Sequence, residues 1–97
     1  MGRIQGLTDT VALTGDQLLK SGPGSVFSMT VAWTGATAGD LIQVRDGTSG
    51  SGTPKIVIAV PAAAGTLQLT WINGKKFVNG IFYDEGPANT LTEITYQ

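Results

Sequence analysis

The chain is predicted to be all-β, on three observations. Helical periodicity is almost absent: the best stretch, Gly15-Asp16-Gln17-Leu18-Leu19-Lys20, is too short for more than a turn, and Gly22-Pro23-Gly24 ends it. Apolar and polar residues instead alternate in short runs. Clusters of Gly, Pro, Asp, Asn and Ser separate those runs at the spacing of a β-sandwich or a jelly-roll-like barrel. Six to eight short antiparallel strands are expected, in one domain over residues 14–97, with residues 1–13 as an N-terminal arm or edge strand.

The elements follow in order. Thr8 to Leu13 and Gln17 to Lys20 each fit a short strand. Ser25 to Trp33 is the clearest one, with Phe27, Met29, Val31 and Trp33 on one face and Val26, Ser28, Thr30 and Ala32 on the other. A small-residue turn, Thr34 to Gly39, leads into Asp40 to Arg45, where Ile42 and Val44 oppose Leu41, Gln43 and Arg45. Asp46 to Thr53 is a glycine- and serine-rich loop. Lys55 to Val60 is an almost unbroken apolar run, read first as a strand buried on both faces and second as a subunit-pairing edge. Thr66 to Trp71 alternates again, and Asn73-Gly74 predicts a hairpin turn, since both residues tolerate positive φ. Phe77 to Tyr83 is a strand in which Gly80 marks a bulge or a close backbone approach. Asp84 to Pro87 turns the chain, and Leu91 to Tyr96 is the last strand.

Composition removes many functional classes. The 97 residues include no cysteine and no histidine, so disulfides, thiolate zinc sites and imidazole chemistry are all missing. No metal and no cofactor is expected, and the sequence predicts no enzyme. Six basic and seven acidic side chains leave a net charge of -1, which does not attract a polyphosphate, so no nucleic-acid partner is expected. No apolar run is long enough for a transmembrane helix, and the first residues lack the apolar core of a signal peptide. No membrane association is expected, and synthesis in a cytoplasm is. Only 13% of residues are charged, about half the usual share, and mean hydropathy is +0.14. That surface suits contact with another protein.

Each candidate site has a plainer reading beside it. Asp46 and the serine and threonine oxygens of its loop suggest a calcium site, but the sequence has neither alternating acids nor a closing glutamate. Asp46 capping its own loop is the plainer reading. Asp84-Glu85 suggests paired catalytic carboxylates, yet adjacent residues in an extended chain face opposite ways, and a turn explains them better. Trp33 and Trp71, with Asp46, form the alternative ligand site of a sugar- or host-binding module, although both tryptophans continue apolar alternations typical of a core. Lys75-Lys76 reads as a charged tip.

Leu19-Lys20-Ser21-Gly22-Pro23-Gly24 before a strand, and Val44-Arg45-Asp46-Gly47-Thr48-Ser49-Gly50-Ser51-Gly52-Thr53 before an aliphatic strand, resemble small β-sandwich virion proteins of tailed bacteriophages. Phe77-Val78-Asn79-Gly80-Ile81-Phe82 and the final strand from Leu91 to Tyr96 extend the resemblance over about residues 17–97. The chain departs from that pattern in carrying Arg45 where an aromatic residue often precedes the aspartate. The resemblance implies a structural role, most simply that of a capsid decoration (cement) protein on the capsid exterior, made in the bacterial host cytoplasm. Its expected partners are the major capsid protein and further copies of itself, in trimers ahead of dimers. The partner-binding residues expected are Arg3, Ile4, Leu7 and Val11 of the arm, with Lys55 and Val57 of the aliphatic strand. The alternative is a carbohydrate- or host-binding module of a tail or fibre.

Overall fold

A computed structural model describes residues 7–10, 13–86 and 89–97. Among the described residues there are eight strands and no helix: β1 (Thr8–Asp9), β2 (Gln17–Ser21), β3 (Gly24–Thr34), β4 (Leu41–Asp46), β5 (Thr53–Ala59), β6 (Gly65–Phe77), β7 (Gly80–Asp84) and β8 (Asn89–Tyr96). They form two antiparallel sheets of four, ordered β1-β8-β3-β6 and β2-β7-β4-β5, and the two sheets make a β-sandwich. The chain changes sheet at nearly every connection, and only β4–β5 is a local hairpin within one sheet.

The core lies between the sheets and follows the period of two. From the first sheet come Val26, Met29, Val31, Trp33 and Ile94; from the second come Ile42, Val44, Ile56, Ile58, Ile81 and Tyr83. Leu13 joins them, bridged to Thr92 beside β8, while Thr8 and Asp9 pair with Tyr96 and Thr95. The described part of the N-terminal segment therefore extends the chain's own first sheet.

Five local features differ from expectation. The alternation in β3 slips at Phe27: the register shifts between Val26 and Ser28, so Val26 joins the core face and Phe27 is half-buried. The Asn73-Gly74 hairpin does not form. Instead β6 runs through it, because Lys75, Lys76 and Phe77 still pair with Val26, Ser25 and Gly24 of β3. The four residues Trp71 to Gly74 then oppose Phe27 alone, a wide bulge that uses Gly74's φ of 80° and leaves Ile72 90% exposed. The Phe27 ring lies so close to Gly74 that a Cβ there would sit 3.1 Å from it.

Third, β5 is not buried on both faces. It is an edge strand, with Ile56 and Ile58 in the core and Lys55, Val57 and Ala59 exposed. Its apolar run arises because the outward positions are also aliphatic. Fourth, Asp46 caps another loop rather than its own: its carboxylate accepts the Val78 and Asn79 N–H groups at 3.0 and 2.7 Å.

Fifth, the strand expected from Phe77 to Tyr83 is divided: Phe77 ends β6, the chain bends at Val78-Asn79 to change sheet, and Gly80 starts β7, where it is a site of close backbone approach. A Cβ there would meet the Gly47 carbonyl oxygen at 2.5 Å and that of Lys20 at 2.9 Å.

Candidate interaction face

Outward positions of the second sheet come into register row by row. Leu18 lies opposite Phe82, and Phe82 opposite Arg45. Asp84 lies opposite Gln43, and Gln43 opposite Val57. Leu41 lies opposite Ala59. Directly opposed residues share a face, so these side chains form one surface. Leu18, Leu41 and Val57 are 41%, 42% and 52% exposed.

Arg45 organises the middle of this surface. Its Nε donates to Asp84 Oδ2 at 2.8 Å, one terminal nitrogen to the Gln43 side-chain oxygen at 2.6 Å, and the other to the Gly52 carbonyl at 2.9 Å. Asp84 in turn accepts the Gly86 N–H at 3.0 Å through its other oxygen. A half-buried guanidinium committed to three acceptors is rigid and already desolvated in part, so covering it costs less than covering a free charge. The position that departs from the resembled pattern is thus the one that ties β4 to β7 and to the β4–β5 loop.

Each carboxylate of Asp84-Glu85 has its own structural task. Asp84 faces outward to Arg45, while Glu85 accepts the Thr90 N–H at 2.8 Å and its hydroxyl at 3.1 Å. The Thr90 proton goes to Glu85, so the Tyr83 hydroxyl must donate to Thr90, and the Thr92 hydroxyl to Tyr83, both at 2.7 Å. One directed chain of hydrogen bonds, Thr92 to Tyr83 to Thr90 to Glu85, then crosses from sheet to sheet. Burial raises the Tyr83 hydroxyl above its ordinary pKa of 10.0; its threonine partners offset part of that, and Glu85 and Asp16 add to it.

The residues of the sequence-based ligand site do not converge. Trp33 is buried at the far end of β3, its ring against Gly65 and its Nε1 donating to the Ala62 carbonyl at 3.1 Å. Asp46 lies at the opposite end, beside the loop that follows Phe77, the partner of Gly24 at the start of β3. The nine residue steps of strand from Gly24 to Trp33 span about 30 Å. Burial works to raise the Asp46 carboxyl, but the N–H donors of Asn79, Val78 and Gly80 and the Lys55 ammonium outweigh it and hold the carboxyl below 3.8. Trp71 is half-buried at the β6 bulge, packed against the core. Among the described residues no three acidic side chains gather as a metal site would need.

Of the expected partner-binding residues, Lys55 and Val57 are exposed on β5, and Leu7 is half-buried just before β1. Arg3, Ile4 and Val11 lie outside the described residues. Sequence reasoning missed Leu18, Leu41 and Phe82 as surface residues. The signal was present at Leu41, already placed opposite the core face of its strand.

By fold the chain belongs to the all-β class, as a two-sheet antiparallel sandwich. No protein-family model, curated protein or solved structure matches it.

Proposed function

We propose that this protein is a structural component of a tailed-bacteriophage virion, a capsid decoration protein that binds across neighbouring major capsid subunits and stabilises the head. One observation carries the reading: the outer face of the second sheet sets Leu18, Leu41, Val57 and Phe82 around a pre-paired Arg45–Asp84, beside an open strand edge. Such a face suits burial against another protein, because the two charges at its centre already neutralise each other and the exposed Lys55 lies at its margin. The low overall charge and the resemblance of residues 17–97 point the same way. Many copies, each adding one small apolar contact across a seam, would raise the cooperativity of head disruption. The sugar-binding alternative is less favoured, since Trp33 and Asp46 occupy opposite ends of the sandwich and each is already bonded within the fold.

The test is addition of purified protein to undecorated capsids. Binding at micromolar concentration and a higher disruption temperature are expected, and the double variant Leu18→Ser/Leu41→Ser should lose both while keeping its circular dichroism. Absence of binding by the parent protein overturns the reading.

A further inference from the structure

The four strand edges of the sandwich are not alike. β1 is only two residues long. β2 is broken by a register shift between Leu18 and Lys20 and carries a lysine. β6 carries Lys75 and Lys76 and the four-residue bulge. Short length, bulges and lysines are the usual means by which an edge is kept from pairing. The fourth edge, β5, has such protection only at its start, where Pro54 and Lys55 coincide with a register shift. Beyond it, Ile56 to Ala59 pairs regularly with β4, and no charge occurs from Ile56 through Gly65.

The direction of the open backbone groups follows from the neighbouring bonds. Val60 N–H donates to the Asp40 carbonyl at 2.9 Å, and the Val60 carbonyl accepts the Gly39 N–H at 2.8 Å. The same register continues through Ile58 opposite Ile42 and Ile56 opposite Val44. Backbone groups alternate sides along a strand, so those of Ile56, Ile58 and Val60 point to β4 and those of Val57 and Ala59 point away from it. Among the described residues nothing pairs with that outer side.

We infer that β5 pairs antiparallel with β5 of a second copy of this chain across a twofold axis, joining the two second sheets into one of eight strands. The twofold passes at Ile58 and sets Val57 of one copy opposite Ala59 of the other. Lys55 then falls opposite Pro61, outside the paired stretch, so the joint contains no like charges. A second copy is favoured over another occupant because the segment is uncharged and complementary to itself, whereas the other edges would bring lysines together. The lysine-bearing stretch of β6 lies at the Thr53 end of β5, since Asp46 pairs with Thr53 and caps the residue after Phe77. An antiparallel joint sends these two ends in opposite directions. Val57 and Ala59 of both copies, with Leu41 beside them, would become one continuous apolar stripe on the outer face. An isologous strand pair closes as a dimer, which departs from the threefold expected from the resemblance.

The inference stands whether or not the protein binds capsids, because self-pairing is read on the purified chain alone. Sedimentation between about 5 and about 200 μM should show a shift from 10.0 kDa to twice that mass. Over the same range, amide exchange at Val57 and Ala59 should slow while the other edges stay unchanged. Val57→Pro removes only an outward N–H, so it should remain folded, with unchanged tryptophan fluorescence, and stay monomeric throughout. A parent protein that is monomeric at the highest concentration, with fast exchange at Val57 and Ala59, overturns the inference and leaves the edge for a strand of another protein. So does a Val57→Pro variant that dimerises like the parent. If Val57→Pro fails to fold, concentration-dependent protection of Val57 and Ala59 in the parent decides in favour, and protection confined to another surface decides against.

Discussion

The outer faces of the two sheets obey the same pleat and differ in chemistry, the first mostly hydroxyl-bearing and the second mostly aliphatic. On the first sheet, the outward positions are Ser28, Thr30, Thr66, Gln68, Thr70, Glu93 and Thr95, joined in register across β8, β3 and β6, with Ala32 and the 54% exposed Leu91 as an apolar end. On the second, they are Leu18, Leu41, Val57, Ala59 and Phe82 around the Arg45–Asp84 pair. Hydroxyl-bearing β-branched residues keep strand propensity while remaining hydrated, which makes the first face suited to solvent. The second face retains the same propensity with aliphatic groups and is poorly hydrated. Fold stability does not require that difference, since both inner faces bury comparable aliphatic sets. The proposed contact surface rests on that difference.

Substitutions should separate the ties between the sheets from the faces themselves. The largest effect is expected at Gly80, where an alanine methyl would collide with the Gly47 and Lys20 carbonyls. Gly80→Ala should cost about 3 kcal/mol in denaturant unfolding and impair association only through loss of fold.

Next is Tyr83→Phe, which removes the middle of the hydrogen-bond chain between the sheets and should cost about 2 kcal/mol. Because the folded state raises the Tyr83 pKa, that state holds its proton longer than the unfolded chain does. Stability is then complete below pH 10.0 and falls as pH rises beyond it. The phenylalanine variant should lose this part of the alkaline decline.

Asp46→Ala follows, at about 1 kcal/mol, since two backbone donors lose their acceptor at an exposed turn. The sign of its pH dependence is opposite. A carboxyl held below 3.8 stabilises the fold above that pH and loses the contribution as pH falls through the folded value. Acid unfolding of the alanine variant should therefore be shallower than that of the parent.

The smallest effects are expected on the faces. Thr70→Ala on the first sheet should change stability by less than about 0.5 kcal/mol and leave association intact. Leu41→Ser on the second should be similarly mild in unfolding yet weaken capsid binding, by about tenfold for a loss of about 1.4 kcal/mol. Equal binding by these two variants would erase the functional distinction between the faces.

The sequence made some parts of this arrangement legible and hid others for physical reasons. Strict alternation in Asp40 to Arg45 placed Ile42 and Val44 inward correctly. The close approach at Gly80 was readable because glycine next to a strand is kept where a Cβ has no room, but the break before it was not, since Phe77 to Tyr83 reads as one apolar run. The position of β5 was not readable. Aliphatic residues on both of its faces mimic a central strand, and only the sheet order reveals that one face and one edge are open. Asn73-Gly74 gave a strong local turn signal, but pairing of Lys75 to Phe77 with β3 overrode it and turned the same positive φ into a bulge. The Val78 partner of Asp46 and the carboxylate partner of Arg45 lie 32 and 39 residues away in the chain, so no local pattern announces them. The proposed contact face was only partly legible: Leu41 was visible as an outward residue and Val57 only under the edge-strand reading, whereas Leu18 and Phe82 needed the β2–β7 register.

The proposed function makes the second sheet the contact surface and leaves the first to solvent. Amide hydrogen exchange of the protein free and bound to undecorated capsids tests it most directly. Added protection is expected in β5 and along β4 and β7 around Arg45, with the exchange of β8 and β6 unchanged. Protection confined to the first sheet would contradict it.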